Sequence, residues 1–126
     1  MRAVDTNVLV RVIIRDDSRQ VAAAESFVAE GAWVSVLALA EAIWVLSTVY
    51  QLNASELVSA IEMWSNHRDF VLDEAEAVAA ALELFRAKPA LGFSDCLIVE
   101  LARKAGHLPL GTFDRNLGRV AGVQRL

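Results

Sequence analysis

The sequence predicts an α/β fold with a central, mainly parallel sheet of about five short strands flanked by helices. Short apolar stretches of strand length alternate along the chain with longer segments in which apolar residues recur every three or four positions. This alternation is typical of sheets whose parallel strands are joined by helices. The chain has 126 residues, enough for one domain with its own core, so we expect a single domain over residues 1–126.

The predicted elements follow one another in a regular order. The predicted strands are 2–5, 32–35, 70–72, 108–112 and 123–125. Helical stripes are formed by Val21, Ala24 and Val28, by Leu57, Ile61 and Trp64, and by Val78, Leu82 and Phe85. Helix starts are indicated by Asn53 with Glu56 and by Asp73 with Glu76, and helix ends by Gly31, Lys88-Pro89 and Gly106.

One segment gives conflicting signals. Residues 8–14 are so rich in β-branched side chains that propensity alone predicts a strand. The preceding Asp5-Thr6-Asn7 triplet has residue types that equally well begin a helix. The residues alone leave both structures open.

Composition limits the environment and the partners. Hydrophobic residues make up 56% of the chain and the mean hydropathy is +0.40, so surplus apolar surface suggests a partner or a homodimer. Candidate apolar area comes from Trp33, Trp44, Trp64 and Tyr50, most of which we expect in the core. The only cysteine, Cys96, excludes an internal disulfide and is interpreted as a small buried hydrophobe.

The sequence predicts a cytoplasmic protein with no membrane association. The charged N-terminal segment lacks the apolar core of a signal peptide. Residues 31–55 are apolar enough to resemble a membrane span, but Glu41 near the middle makes insertion costly. We interpret that stretch as a buried strand and helix.

The charge argues against a broad nucleic-acid footprint. The net charge is −4 and the pI is near 5.1, so any contact with nucleic acid must be local. Ten of the twelve basic residues are arginine, the side chain better suited to bidentate phosphate contact. Candidates near the N- and C-terminal acidic segments are Arg11, Arg15, Arg115 and Arg119.

Four acids lie in apolar surroundings. Glu41 is the only charged residue between Glu30 and Glu56, so we expect its carboxylate to face the interior or a cleft, where it needs a cation. Asp5, Asp95 and Asp114 likewise follow or interrupt apolar sequence.

Their predicted positions favour one site. On a helical projection of 94–105, Asp95 falls with Ile98 and Ala102, opposite the charged face, and is therefore expected to point inward. Asp5 and Asp114 fall at or just past predicted strand ends, and Glu41 and Asp95 in the first turns of the following helices. Carboxylates that converge there raise one another's pKa unless a divalent cation binds, and oxygen ligands favour Mg²⁺ or Mn²⁺ over zinc.

The four acids and their neighbours form a recognisable set of motifs. They are Asp5-Thr6-Asn7, Glu41 in the apolar helix 36–46, Phe93-Ser94-Asp95 opening a later helix, and Thr112-Phe113-Asp114 near the end of the chain. In order and spacing, over nearly the whole chain, this set resembles the PIN domain. It is most similar to the VapC toxins of bacterial and archaeal toxin–antitoxin pairs.

The resemblance implies a fold and an activity. It implies the PIN-domain fold, with residues 8–14 helical, and a metal-dependent ribonuclease. It further implies a homodimer inhibited by a small VapB-like antitoxin that wraps around it. A small domain without an extra RNA-binding region favours the toxin role over a housekeeping role in RNA maturation, which remains the alternative.

The resemblance also assigns roles to individual residues. Asp5, Glu41, Asp95 and Asp114 match the acidic quartet, as catalytic residues and ligands of Mg²⁺, with Mn²⁺ as a substitute. Asp5 and Asp95 are expected to hold the ion that activates water, Glu41 to orient the water, and Asp114 to complete a second ion site. Supporting polar positions are matched by Asn7 and Thr112, with Ser94 where alanine is common, and Arg115 is a candidate phosphate contact. Asn116 stands where some members carry a further acid, which weakens the second ion site.

Two other classes explain the residues less well. A phosphoryl-accepting receiver domain also binds Mg²⁺ through acids at strand ends, but it needs an acidic pair after its first strand and a late lysine at a strand end. Here Thr6 follows Asp5, and the only lysines, Lys88 and Lys104, lie elsewhere. A catalytically silent binding module would have no need for four inward acids.

Overall fold

The five predicted strands and the helices between them are all present. A computed structural model describes all 126 residues. The strands are β1 (Arg2–Val4), β2 (Ala32–Val34), β3 (Phe70–Leu72), β4 (Leu110–Thr112) and β5 (Val123–Arg125). The helices are α1 (Thr6–Ile13), α2 (Ser18–Val28), α3 (Val36–Thr48), α4 (Ala54–Asn66), α5 (Ala75–Ala87) and α6 (Phe93–Ala105). Short 3₁₀ turns span Pro89–Leu91 and Leu117–Arg119.

The chain divides into two compact units, Met1–Ala75 and Glu76–Leu126, which are described separately. In the first unit, β1, β2 and β3 form a parallel sheet in that order. In the second unit, β4 and β5 pair in parallel. The predicted α/β fold with parallel strands is therefore confirmed, with the five strands hydrogen-bonded as a three-stranded and a two-stranded sheet.

Residues 6–13 form a helix, so the strand that propensity predicted there is wrong. The Asp5 side chain accepts hydrogen bonds from the backbone N–H groups of Asn7 and Val8 and begins α1 directly after β1. The helix then buries Leu9, Val10 and Val12. Because a β-branched residue loses only a few tenths of a kcal/mol of helix propensity, capping and burial outweigh the local preference. The helix expected from the PIN-domain resemblance is confirmed.

The core of the first unit ties its helices together through apolar packing. Helix α1 packs against α2 and α3, and α4 packs against β3. Trp64 of α4 is fully buried, and its indole N–H donates to the backbone oxygen of Leu9 at 3.2 Å. Trp64 is thus a core residue and offers no interface area, but Trp33 and Trp44 are exposed and Tyr50 is only partly buried, so the expectation that most of these aromatic residues lie in the core is wrong.

The predicted helix boundaries of this unit hold closely. Asn53 caps α4, its side chain accepting from the Glu56 N–H at 2.9 Å while the Glu56 carboxylate accepts from the Asn53 N–H at 3.0 Å. Gly31, after α2, has a φ of +91°, a conformation that favours glycine. Residues 31–55 contain β2 and α3 as expected, and none of the helices combines the length and apolar character needed to cross a bilayer.

The second unit has a small apolar cluster of its own. Val99 of α6 is buried with Leu117 and Val120. The rings of Phe85 in α5 and Phe93 in α6 meet edge to face with centroids 6.0 Å apart. Partly buried residues pack around the cluster, namely Leu84, Leu91, Leu110 and Val123.

Two boundaries in and near this unit differ from expectation. Helix α5 begins at Ala75, because Glu74 has a φ of +57° and interrupts the helix that Asp73 was expected to start. Strand β4 begins at Leu110, two residues later than predicted. Helix α6 ends at Gly106 as predicted, with a left-handed φ of +81°.

The capping box of α4 is a direct test of the first unit's stability. Replacing Asn53 with alanine removes the side-chain acceptor for the Glu56 N–H and is expected to lower the free energy of unfolding by ~1 kcal/mol. Urea unfolding followed by tryptophan fluorescence, to which the buried Trp64 contributes, measures the loss. Asn53→Asp retains a capping oxygen and should stay close to wild type; an equal loss in both variants would contradict the cap.

Candidate active site

Asp5 lies at the carboxyl end of β1, as predicted, and begins α1. Its Oδ1 accepts from the N–H groups of Asn7 at 3.1 Å and Val8 at 3.3 Å. The residue is exposed, and its second oxygen, Oδ2, accepts no hydrogen bond from the protein. The capping bonds therefore fix the orientation of the carboxylate and leave one oxygen available to a ligand.

Glu41 differs from the prediction in two ways. It is exposed, so of the two expected settings, the interior and a cleft, the interior is wrong, and it lies in the second turn of α3 rather than the first. The apolar run misled the prediction because α3 exposes Leu37 and Trp44, four positions before and three after Glu41, and these three residues share a helical face. A single charge in that run consequently does not require burial.

The partner of Glu41 is a residue that sequence reasoning did not single out. The Thr6 hydroxyl donates to Glu41 Oε2 at 2.8 Å. Thr6 is the first residue of α1, so the hydrogen bond joins α1 and α3. The position of Thr6 within the Asp5-Thr6-Asn7 motif could have marked it as a site residue. Nothing in the sequence indicated that its hydroxyl contacts Glu41.

Asp95 lies in the first turn of α6, as predicted, and is partly buried. Burial, and then the negative charge of Asp114, raise the pKa of Asp95 above its ordinary value. The expected inward stripe is wrong in part, because Ile98 is 49% exposed; α6 buries Cys96, Leu97 and Val99 instead. The helical projection correctly placed Asp95 and Ile98 on one face of α6, but it could not show which face of the helix packs against the core.

Asp114 lies just past β4, as predicted, in an exposed turn. Its Oδ1 accepts from the Leu117 N–H at 2.8 Å, and its own N–H donates to Thr112 Oγ1 at 3.0 Å. Thr112 therefore supports the turn that carries Asp114. Like Asp5, Asp114 uses one carboxylate oxygen to hold a turn and leaves the other without a protein donor.

The remaining predicted polar residues are placed as follows. Asn7 supports Asp5 through its backbone N–H, and its side chain is exposed. Ser94 is exposed in the first turn of α6, and Arg115 is exposed beside Asp114 with no ion-pair partner. Two other arginines are occupied within the protein. Arg11 donates to Asp16 and Tyr50, and Arg15 donates to Glu25.

Cys96 follows Asp95 but is not a candidate ligand. Its side chain is fully buried, and burial, followed by the charge of Asp95, raises the pKa of the thiol to about 11. The thiol stays protonated at neutral pH, whereas metal binding needs a thiolate. The interpretation of Cys96 as a small buried hydrophobe is confirmed.

The oxygen donors suit a hard divalent cation. The first unit offers Asp5 Oδ2 and Glu41 Oε1, and the second offers both oxygens of Asp95 and one of Asp114. Neither unit contains a group of three or more His, Cys, Asp and Glu side chains arranged to hold a metal, so neither forms a complete protein cage. Mg²⁺ commonly uses one or two carboxylates and completes its shell with water and phosphate, which fits pairs of this kind.

The Thr6–Glu41 hydrogen bond predicts a measurable coupling. Thr6→Val removes the hydroxyl at nearly constant volume and is expected to lower the free energy of unfolding by roughly 0.5–1.5 kcal/mol, while Thr6→Ser retains the donor. A double-mutant cycle with Glu41→Ala, measured by urea unfolding, should show a coupling between the two sites. Strictly additive losses would contradict the contact.

The raised pKa of Asp95 predicts how stability changes with pH. The folded state holds this proton more tightly than the unfolded chain, so the stability from Asp95 is fully present below pH 3.8 and is lost as the pH rises through the raised pKa. Asp95→Asn in metal-free buffer is therefore expected to raise Tm at pH 7 and to have little effect near pH 3.8.

Glu76→Gln is the matched control, because Glu76 is an acid in the first turn of α5. Neutralising it removes a favourable helix-dipole interaction and should not raise Tm. A lower Tm for Asp95→Asn at pH 7, or an equal effect of both variants, would contradict the electrostatic interpretation of Asp95.

Comparison with known proteins identifies the family. A family model described as PIN domain matches residues 2–123. No curated protein and no solved structure gives a significant match. The matched segment covers most of both units and contains Asp5, Glu41, Asp95 and Asp114. The chain therefore belongs to the PIN-domain family, whose members are generally metal-dependent nucleases.

Proposed function

We propose that this chain is a Mg²⁺- or Mn²⁺-dependent endoribonuclease that acts as the toxin of a type II toxin–antitoxin pair and is neutralised by a VapB-like antitoxin. The catalytic residues in this proposal are Asp5, Glu41, Asp95 and Asp114.

One observation carries the nuclease proposal. All four acids lie inside the PIN-domain match, and each keeps at least one carboxylate oxygen without a protein donor. Buried carboxylates are ordinarily satisfied by donors of the protein, whereas Asp5, Glu41 and Asp114 are exposed and Asp95 is partly buried, so their remaining oxygens are open to solvent or to a ligand. Outward carboxylate oxygens held in place by turns and helix starts are the donors that a hard cation requires.

The residues divide the work between binding and orientation. Asp5 and Asp95 are the proposed direct ligands, and a bound divalent cation supplies activation of water and neutralisation of phosphate charge. Glu41, held by the Thr6 hydroxyl through Oε2, presents Oε1 to orient the attacking water. Asp114 is the proposed ligand of a second ion, and Asn116 beside it offers an amide instead of a further carboxylate.

Arginine contacts to the substrate are expected to be few. Arg115 is exposed beside Asp114 and has no ion-pair partner, which supports its proposed contact with a phosphate of the RNA. Arg11 and Arg15 are committed to carboxylates within the protein. With a net charge of −4, the chain relies on this local contact and on the cation to hold the RNA.

Exposed apolar side chains support the proposed homodimer and antitoxin contacts. Leu37 is 71% exposed and Trp44 63% exposed on α3, and Val49 at the end of the same helix is 65% exposed. Aromatic residues are enriched at protein interfaces. The toxin role is supported by the resemblance of the four acidic motifs to those of VapC toxins.

Cleavage of RNA by purified variants tests the nuclease proposal. Wild type is expected to cut RNA only with Mg²⁺ or Mn²⁺ present. Loss of a residue that merely supports a metal ligand costs ~10–100-fold in activity. Asp5→Asn and Asp95→Asn remove proposed direct ligands, so each should lower the cleavage rate by at least that much. Asp17→Asn is the matched control, because Asp17 caps α2 with hydrogen bonds to two N–H groups just as Asp5 caps α1. Retained Mg²⁺-dependent cleavage in Asp5→Asn and Asp95→Asn would refute the site.

Growth measurements separate the toxin role from the nuclease. Induced expression of wild type is expected to arrest growth, co-expression of a VapB-like antitoxin, if a small gene beside this one encodes it, to relieve the arrest, and Asp95→Asn to be harmless at equal protein level. Normal growth with RNA cleavage intact in vitro would remove the toxin role and leave the nuclease.

A further inference from the structure

A cavity of about 530 Å³ lies between α1 and α2 in the first unit. Its lining residues are Asn7, Val8 and Arg11 from α1, and Gln20, Ala23, Ala24 and Phe27 from α2. Small-molecule sites in proteins are commonly about 300–1,000 Å³, so the cavity has room for a nucleotide. The space exists because α2 carries alanines on the side that faces α1.

The lining combines an apolar surface with two amides. Val8, Ala23 and Phe27 supply apolar and aromatic area. Asn7 and Gln20 are exposed, and neither side-chain amide makes a hydrogen bond within the protein; their backbone N–H groups donate to Asp5 and Asp17. Amides pair with the edges of nucleobases, and apolar and aromatic groups take their faces.

The charges of the lining argue against an anionic occupant. The only cation of the cavity wall, Arg11, is already paired with Asp16 and hydrogen-bonded to Tyr50. A phosphate or an acidic peptide would therefore meet no free positive charge there. A wholly apolar peptide side chain would leave both amides unpaired, which is unfavourable once they are covered.

The cavity adjoins a proposed catalytic residue. The N–H of Asn7 donates to Asp5 Oδ1, so the cavity wall begins two residues from Asp5 on the same helix. A base bound here would belong to a nucleotide flanking the phosphate at Asp5. The cavity is thus placed to influence where the RNA is cut.

We propose that the α1–α2 cavity receives one nucleobase of the RNA beside the scissile phosphate and that Gln20 and Asn7 select it through hydrogen bonds to its edge. This inference rests on the proposed nuclease function and adds a base-selecting site to it. Gln20 is a specificity residue in this proposal, since its side chain lies on α2 and takes no part in holding the cation.

Binding of nucleotides that lack the phosphate tests the cavity without catalysis. The nucleosides adenosine, cytidine, guanosine and uridine are titrated in metal-free buffer while the backbone amide resonances of the protein are followed by NMR. Shifts are expected at residues 7, 8, 20, 23 and 27, with one base bound roughly fivefold or more tightly than the weakest. Gln20→Glu, which removes the amide donor at constant size, should reduce that preference.

Two alanine substitutions form the matched pair. Ala23→Leu fills the cavity from an exposed position and should weaken nucleoside binding at least ~10-fold; Ala22→Leu adds the same side chain to the neighbouring exposed position, outside this cavity, and should leave binding unchanged. Absence of shifts at the cavity, or equal effects of the two variants, would overturn the proposal. Loss of antitoxin binding in Ala23→Leu with nucleoside binding intact would assign the cavity to a protein partner and overturn it as well.

Cleavage of an RNA pool with randomised sequence separates this inference from the proposed function. Wild type and Ala22→Leu should show the same base preference next to the cut and the same Mg²⁺-dependent rate, while Gln20→Glu and Ala23→Leu should lose the preference roughly fivefold or more and cut more slowly. Unchanged preference in all variants would overturn the base-selecting site and leave the nuclease. Nucleoside binding at the cavity without any RNA cleavage would support the site and refute the proposed function.

Discussion

The start of α1 depends on the hydrogen bonds from the N–H groups of Asn7 and Val8 to Asp5 Oδ1. They begin a helix directly after β1, in a segment whose side chains favour a strand. Because the helix begins there, Thr6 occupies its first turn and its hydroxyl reaches Glu41 on α3. The same helix supplies Asn7 to the α1–α2 cavity. Each candidate feature of the first unit therefore follows from where α1 begins.

Capping and ligand binding are compatible roles for one carboxylate. Asp5 and Asp114 each accept backbone N–H groups through Oδ1, which holds the side chain in one orientation and leaves Oδ2 available. Asp17 caps α2 in the same way, yet nothing in the sequence or structure assigns it a site. A cap alone consequently does not mark a functional acid. Asp5 differs because Thr6, on the helix that it caps, donates a hydrogen bond to Glu41 of α3. Asp114 differs because its negative charge raises the pKa of Asp95.

The sequence predicted local features well, but it predicted poorly which face of each helix is buried in the core. The bounds of β3 and β5 and the capping box of α4 match, because they depend on neighbouring residues. Glu41 and Ile98 were wrongly placed towards the interior. Periodicity shows which residues share a helical face, but which face is buried depends on the elements that pack against it, as the exposed Leu37 and Trp44 on α3 show. The Thr6–Glu41 contact joins residues 35 positions apart, and no local pattern encodes it.

The four acids differ in how far the protein already compensates their charge. Asp5 and Asp114 accept backbone N–H groups, and Glu41 accepts the hydroxyl of Thr6. Asp95 has no such donor, is partly buried and feels the negative charge of Asp114, so its ionised form is the one that the fold disfavours. A cation would gain most from the carboxylate that the protein stabilises least. The sequence indicated Glu41 as the charge least compensated by its surroundings. In the structure that residue is Asp95.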